Sequence, residues 1–250
     1  MCTATWRFSS EGDGWALDLG FNRDERRSRP RARPPRVVRS ADGLPFIAPL
    51  DPVGSGTWLS LNAAGLCLGL LNHYRSDGPP PTAAATISRG QLVWRLAALP
   101  DAEGVRAGLR RILERERPQP FDLLLAKGGK VRQVLRLRWD GEALREEDLS
   151  AGPPLISSSA HDPRRVVTGR LAQYTAISGG GPLDAAARLA FHRSHRPERG
   201  ARSVCMHRPD ARTVSYSQLR VATGELSFRY AAGAPCRARL GPPLYLERQA

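Results

Sequence analysis

The run Leu66-Cys67-Leu68-Gly69-Leu70-Leu71 constrains this chain more than any other segment. A strand that is apolar at nearly every position, rather than at every second one, must be covered on both faces. The run follows Trp58 to Leu61, with Asn62 to Gly65 between them as a turn, so the pair reads as a hairpin inside a layered fold. Even the whole stretch Trp58 to Leu71 contains Asn62 and falls short of the roughly 20 apolar residues that a membrane-spanning helix needs.

Other segments extend the pattern. Thr3 to Phe8 and Trp15 to Leu19 read as strands joined across Gly12-Asp13-Gly14. Phe121 to Ala126 and Val131 to Trp139 form a further hairpin across Gly128-Gly129, with Val131, Leu135 and Leu137 on its apolar side. Asp101 caps a helix expected to run to about Arg117, because Val105, Leu109, Ile112 and Leu113 share one face and Pro118 follows. Asp162-Pro163 starts a second helix with Val167, Leu171 and Tyr174 as its stripe, and a break at Gly179 to Gly181 leads to a third over Pro182 to His195. Ser203 to His207, Thr213 to Val221 and Glu225 to Ala231 close the chain as strands, and Pro79 to Pro81 mark a loop. Runs of strands separated from runs of helices argue for an α+β fold with antiparallel sheets. Nothing in the 250 residues forces a boundary, so residues 1–250 read as a single domain.

The formal net charge is +14, yet only Lys127 and Lys130 among the 38 basic residues are lysine. The arginines are scattered, apart from a Pro-containing cluster at Arg23 to Arg39 that reads as a solvated loop, with a phosphate-binding patch as its alternative. This distribution argues against a nucleic-acid partner. The four cysteines, Cys2, Cys67, Cys205 and Cys236, form no C-x-x-C pair, which argues against a zinc ribbon and a redox motif. His192 and His195 stand three apart on a helix, but Arg193 and Arg196 flank them and no third ligand is evident. Cys205 and His207 share one face of an expected strand and read as a buried thiol and a satisfied imidazole; no metal is expected. His73 and His161 have no evident partner. Phosphate-binding loops, dinucleotide fingerprints and the usual hydrolase and zinc-protease motifs are missing. The opening residues carry no secretory signal and no myristoylation site, so the expected location is cytoplasmic, with free thiols.

Cys2 carries a mechanism through its position. Removal of Met1 would leave a thiol beside its own α-amine at an exposed terminus, and an N-terminal amine can serve as base for its own side chain.

The surroundings of Cys2 resemble the NRDE family, also called the transport and Golgi organisation protein 2 family. The matching residues are the opening MCTATWRFSS, Gly20-Phe21-Asn22-Arg23-Asp24-Glu25, Gly56-Thr57-Trp58-Leu59, Leu61-Asn62-x-x-Gly65-Leu66, Leu70-Leu71-Asn72, Ile156 to Ser159 with Asp162-Pro163, and Arg202-Ser203. The same landmarks are more distantly similar to the choloylglycine hydrolase and penicillin acylase group of N-terminal-nucleophile hydrolases. That resemblance implies four layers, αββα, with two packed antiparallel sheets between helices. It implies Cys2 as nucleophile, Asp24 holding the α-amine and Asn72 donating to the oxyanion. Asn22, Arg23, Glu25, Ser158 and Arg202 would bind substrate or support the site. The chain departs from that group at Phe21, where those hydrolases carry an arginine, and at Ser158, where they carry an asparagine. The implied activity is cleavage of a non-peptide acyl amide C–N bond, a small-molecule reaction requiring no cofactor. The alternative implied by the NRDE family is a non-enzymatic carrier of haem or an acyl lipid, with haem as ligand.

Overall fold

The computed structural model describes residues 2–40, 43–74, 85–160, 162–179 and 181–249; the loop expected at Pro79 to Pro81 and His161 lie outside them. The opening hairpin is longer than the sequence suggests. Strand β1 (Cys2–Glu11) and β2 (Gly14–Arg26) pair from Cys2 opposite Arg23 to Glu11 opposite Gly14. Gly12 takes a positive φ of 57° in the turn, where a side chain would be strained. With β10 (Leu155–Ser157), β11 (Ala211–Ala222), β12 (Glu225–Ala231) and β13 (Leu244–Tyr245) they form a six-stranded antiparallel sheet in the order β10-β1-β2-β11-β12-β13.

The second sheet has seven antiparallel strands in chain order: β3 (Arg33–Ser40), β4 (Gly43–Leu50), β5 (Leu59–Asn62), β6 (Leu66–Asn72), β7 (Phe121–Lys127), β8 (Gln133–Trp139) and β9 (Leu144–Asp148). Strand β6 lies between β5 and β7. Helices α1 (Arg89–Leu96) and α2 (Ala102–Arg115) cover one face of this sheet, and the first sheet packs against the other. That is why β6 is apolar throughout. Helices α3 (Pro163–Ser178) and α4 (Ala185–Arg193) lie on the outer face of the six-stranded sheet, which completes the αββα order. The alternation in β1 follows: Ala4 and Trp6 enter the core between the sheets, whereas Thr3 and Thr5 hydrogen-bond Arg170 and His192 of the helix layer. No helix among the described residues is long and apolar enough to cross a membrane.

Several local expectations fail for identifiable reasons. The cluster Arg23 to Arg39 is not one loop, because β2 continues to Arg26 and β3 begins at Arg33. Strand β3 tolerates Pro34 and Pro35 because it is a sheet edge, where a missing N–H costs nothing. Val131 is 72% exposed and precedes β8 rather than marking its apolar side. Helix α2 does follow Asp101, whose side chain accepts from Gly104 N at 2.8 Å, but it ends at Arg115. On α3 the buried face is Val166, Arg170 and Tyr174, so the inward stripe holds an arginine and the apolar Val167 and Leu171 are only half-buried. Ser203 to His207 is not a strand: Cys205 N bonds Ser194 O, and Met206 exchanges bonds with Thr213.

Candidate active site

Cys2 begins β1 directly across from Arg23, so its side chain points between the sheets. The residue is 7% exposed, not the open terminus expected from its position. Its backbone N–H donates to Ser158 Oγ at 3.1 Å, while its carbonyl accepts from Ser158 N at 2.9 Å and Ser157 Oγ at 3.3 Å. Burial pushes the thiol up from its ordinary range, against the opposing effects of a backbone hydrogen bond from Asp24 and the Arg23 charge. Burial therefore favours the neutral thiol over the thiolate.

Asp24 follows on β2 and is 4% exposed. Oδ1 accepts from Thr213 Oγ1 at 2.6 Å, whereas Oδ2 is buried with no hydrogen-bond partner among the described residues. Burial raises the carboxyl's pKa, and the charge of Arg170 pulls it back. A buried acceptor without a donor is costly, so this oxygen is placed for a cation or an incoming N–H. Asn72 enters from the other sheet at the end of β6. Its Nδ2 donates to the Tyr74 hydroxyl at 3.0 Å, and an amide nitrogen carries a second N–H. Cys2, Asp24 and Asn72 together line one cleft of about 610 Å³.

The remaining residues of the set divide between the cleft and its frame. Arg23 lies 4.0 Å over the Trp58 ring and donates to Asp51 at 2.8 Å and Glu25 at 3.3 Å. Arg23 and Glu25 thus form a paired wall of the cleft, extended by Arg29, which also reaches Asp51. Hydrogen bonds and the Arg23 and Arg29 charges hold the Asp51 carboxyl below its usual range in spite of burial. Asn22 is fully buried and donates to His192 O and Val204 O, both at 3.0 Å, so it ties β2 to the helix layer rather than facing the cleft. Ser158 holds the Cys2 nitrogen, as above. Arg202 does not reach the cleft; its guanidinium pairs with Glu198 at 2.7 Å.

Sequence reading missed Arg170. This guanidinium is 1% exposed and donates to Thr3 Oγ1 (2.9 Å), Ser157 Oγ (2.7 Å) and Ser203 O (2.6 Å). Its charge acts on both Asp24 and Cys2. The available signal was its spacing of four from Val166 and Tyr174 on one helical face. His192 and His195 diverge: His192 Nε2 lies 2.8 Å from Thr5 Oγ1, and burial with nearby arginines pushes its pKa down to about 3. Gly20 is required beneath it, because a Cβ there would stand 2.9 Å from Nε2. The motif Asn62-x-x-Gly65-Leu66 locks a turn instead of serving chemistry: Asn62 Oδ1 accepts from Ala64 N and Leu66 N, and Nδ2 donates to Ala97 O and Leu99 O. A second cleft of about 690 Å³ gathers Arg26, Arg27, Arg31, Arg199, Arg212 and Arg237 on the far side of Arg23.

The fold is similar to that of the C2A mutant of conjugated bile acid hydrolase from Clostridium perfringens, with a TM-score of 0.57 at 11% identity over 99% of this chain and 98% of that one. A Caenorhabditis elegans orthologue of N-acylethanolamine-hydrolyzing acid amidase gives 0.57 at 9% identity, covering 88% of this chain and 92% of that one. Penicillin V acylase from Agrobacterium tumefaciens gives 0.51 at 11% identity, covering 92% and 82%. At such identities the likeness shows the fold alone. No curated protein matches the sequence. The model of the family described as Transport and Golgi organisation 2 matches residues 1–166, from the Cys2 strand into α3, and the chain belongs to that family.

Proposed function

We propose that this protein hydrolyses a non-peptide acyl amide, with Cys2 as nucleophile once Met1 has been removed. The observation that carries the reading is the convergence of Cys2, Asp24 and Asn72, from two different sheets, on a single cleft. The freed α-amine takes the thiol proton as sulfur attacks the amide carbonyl, giving a tetrahedral oxyanion. Asp24 Oδ2, which has no partner among the described residues, holds the amine, and Ser158 Oγ bonds the same nitrogen. The second N–H of Asn72 stabilises the oxyanion. The C–N bond then breaks, the leaving amine takes the proton from the ammonium, and water hydrolyses the Cys2 thioester to the acid. Arg170, from α3, supplies positive charge beside Cys2 and Asp24 in a chain that has the fully buried Phe21 before Asn22.

The structural neighbours supply the probes. A conjugated bile acid, penicillin V and an N-acylethanolamine should be offered to wild type and to Cys2→Ala, with amine release as the readout. The expected result is turnover of at least one acyl amide, reduced about a thousandfold or more in Cys2→Ala. No turnover by wild type on a wider acyl-amide panel, with haem or acyl-lipid binding equal in both proteins, would replace the hydrolase by a carrier. Haem binding that weakens and changes its absorption in Cys2→Ala, again without hydrolysis, would make the thiolate an axial ligand instead.

A further inference from the structure

The segment between α4 and β11, residues 194–210, contains no helix or strand longer than a single bridge, yet Val204, Cys205 and Met206 within it are fully buried. A structureless loop of this length inside a domain core calls for something to hold it. Here Cys205 Sγ lies 3.5 Å from His207 Nε2, and Cys236 Sγ, from the loop after β12, lies 3.4 Å from the same nitrogen. His195 closes the group, since one potential ligand atom from each of His195, Cys205, His207 and Cys236 lies within 4.8 Å of the others. His195 Nε2 is buried with no hydrogen-bond partner among the described residues.

We propose that His195, Cys205, His207 and Cys236 form a tetrahedral zinc site. Zinc with sulfur at about 2.3 Å and nitrogen at about 2.0–2.1 Å sets a nitrogen–sulfur edge of about 3.6 Å, close to both separations here. Two imidazoles and two thiolates are a complete ligand set, which makes the site structural: no coordination position remains for a substrate. The charges also agree. Two thiolates balance the charge of the dication, and both imidazoles bind it neutral. His207 also lines the arginine-rich cleft, so the group reaches the surface.

The site would brace the candidate active site from behind. Met206, between two of the ligands, exchanges backbone and side-chain bonds with Thr213, and Thr213 holds Asp24. Sequence distance concealed the group, because Cys205 and Cys236 are far apart along the chain and meet only where the loop after β12 reaches the end of α4, with Arg193 Nε donating to Pro235 O.

Full-length protein, expressed with added zinc and purified under reducing conditions, should carry one zinc ion per chain by elemental analysis. A competing chromophoric chelator should report a Kd tighter than about 10 nM. Cobalt in place of zinc should give the visible and thiolate charge-transfer absorption of a tetrahedral two-sulfur site. Zinc content should fall at least about tenfold in Cys236→Ser, whose loop is half-buried, and in His207→Ala, while Cys67→Ser keeps a full complement. Stripping the metal should lower the thermal midpoint by roughly 5 °C or more. A folded reduced wild type that takes up no zinc or cobalt would overturn the proposal, as would Cys236→Ser binding zinc as tightly as wild type. A Cys205–Cys236 disulfide that persists in reductant would overturn it too.

Discussion

Asp24 is the residue at which structure and chemistry can be separated by experiment. Its carboxyl has a raised pKa because burial opposes ionisation more than Arg170 assists it. The folded state therefore binds this proton more tightly than the unfolded chain does. The stability cost of ionising it is absent below the ordinary carboxylate range, grows as pH rises through that range, and is complete above the raised folded value. Asp24→Asn keeps an oxygen for Thr213 and lacks the buried charge. We expect its thermal midpoint to gain on wild type as pH rises from about 4, while amidase activity falls at every pH because the α-amine loses its counter-ion. Paired melting curves and rates check both halves; a variant with unchanged activity would reduce Asp24 to charge balance. At this scale an ordered resemblance pointed to Cys2, Asp24, Asn72 and Ser158, and the fold brings the first three to one cleft with Ser158 bonded to Cys2. It did not point to Arg170, because an arginine amid helical polar residues looks like surface until the helix is docked. Nor did it point to the Cys205 and Cys236 contact, which is set by tertiary folding alone.

Among the elements, the β5–β6 hairpin best shows what a motif residue does. Asn62 joins its own turn to the end of α1 through four hydrogen bonds in the core. Removing that side chain strands two N–H and two carbonyl groups, so Asn62→Ala should cost about 2–4 kcal/mol in denaturant unfolding. Asp101→Ala, which removes only an exposed cap bond at α2, should cost about 1 kcal/mol. Equal losses would mean that Asn62 is no more than a turn residue. The central strands were legible because burial on both faces leaves its mark on every residue, as in β6. Strand β3 was not, since an edge strand accepts prolines and arginines that mimic a loop. Strand β9 was equally hidden: its sequence, LREED, is mostly exposed and charged.

For the whole molecule, the two-sheet sandwich places the ends of β1, β2 and β6 at one mouth, and the cleft is a consequence of that packing. The +14 charge also looks different in three dimensions. Many arginines bond main-chain carbonyls or carboxylates, among them Arg89 to Pro120, Arg193 to Pro235, Arg220 to Asp18 and Arg248 to Ala222. They join segments of the fold. The central claim, that Cys2 supplies both the nucleophile and its base, depends on one covalent fact about the terminus. Intact-mass measurement of the purified, reduced protein reads it directly. The account predicts a chain that begins at Cys2 with a free α-amine, lighter than the encoded sequence by one methionine residue. A chain retaining Met1 would hold that nitrogen as an amide, leave the Cys2 thiol without its base, and contradict the hydrolase assignment.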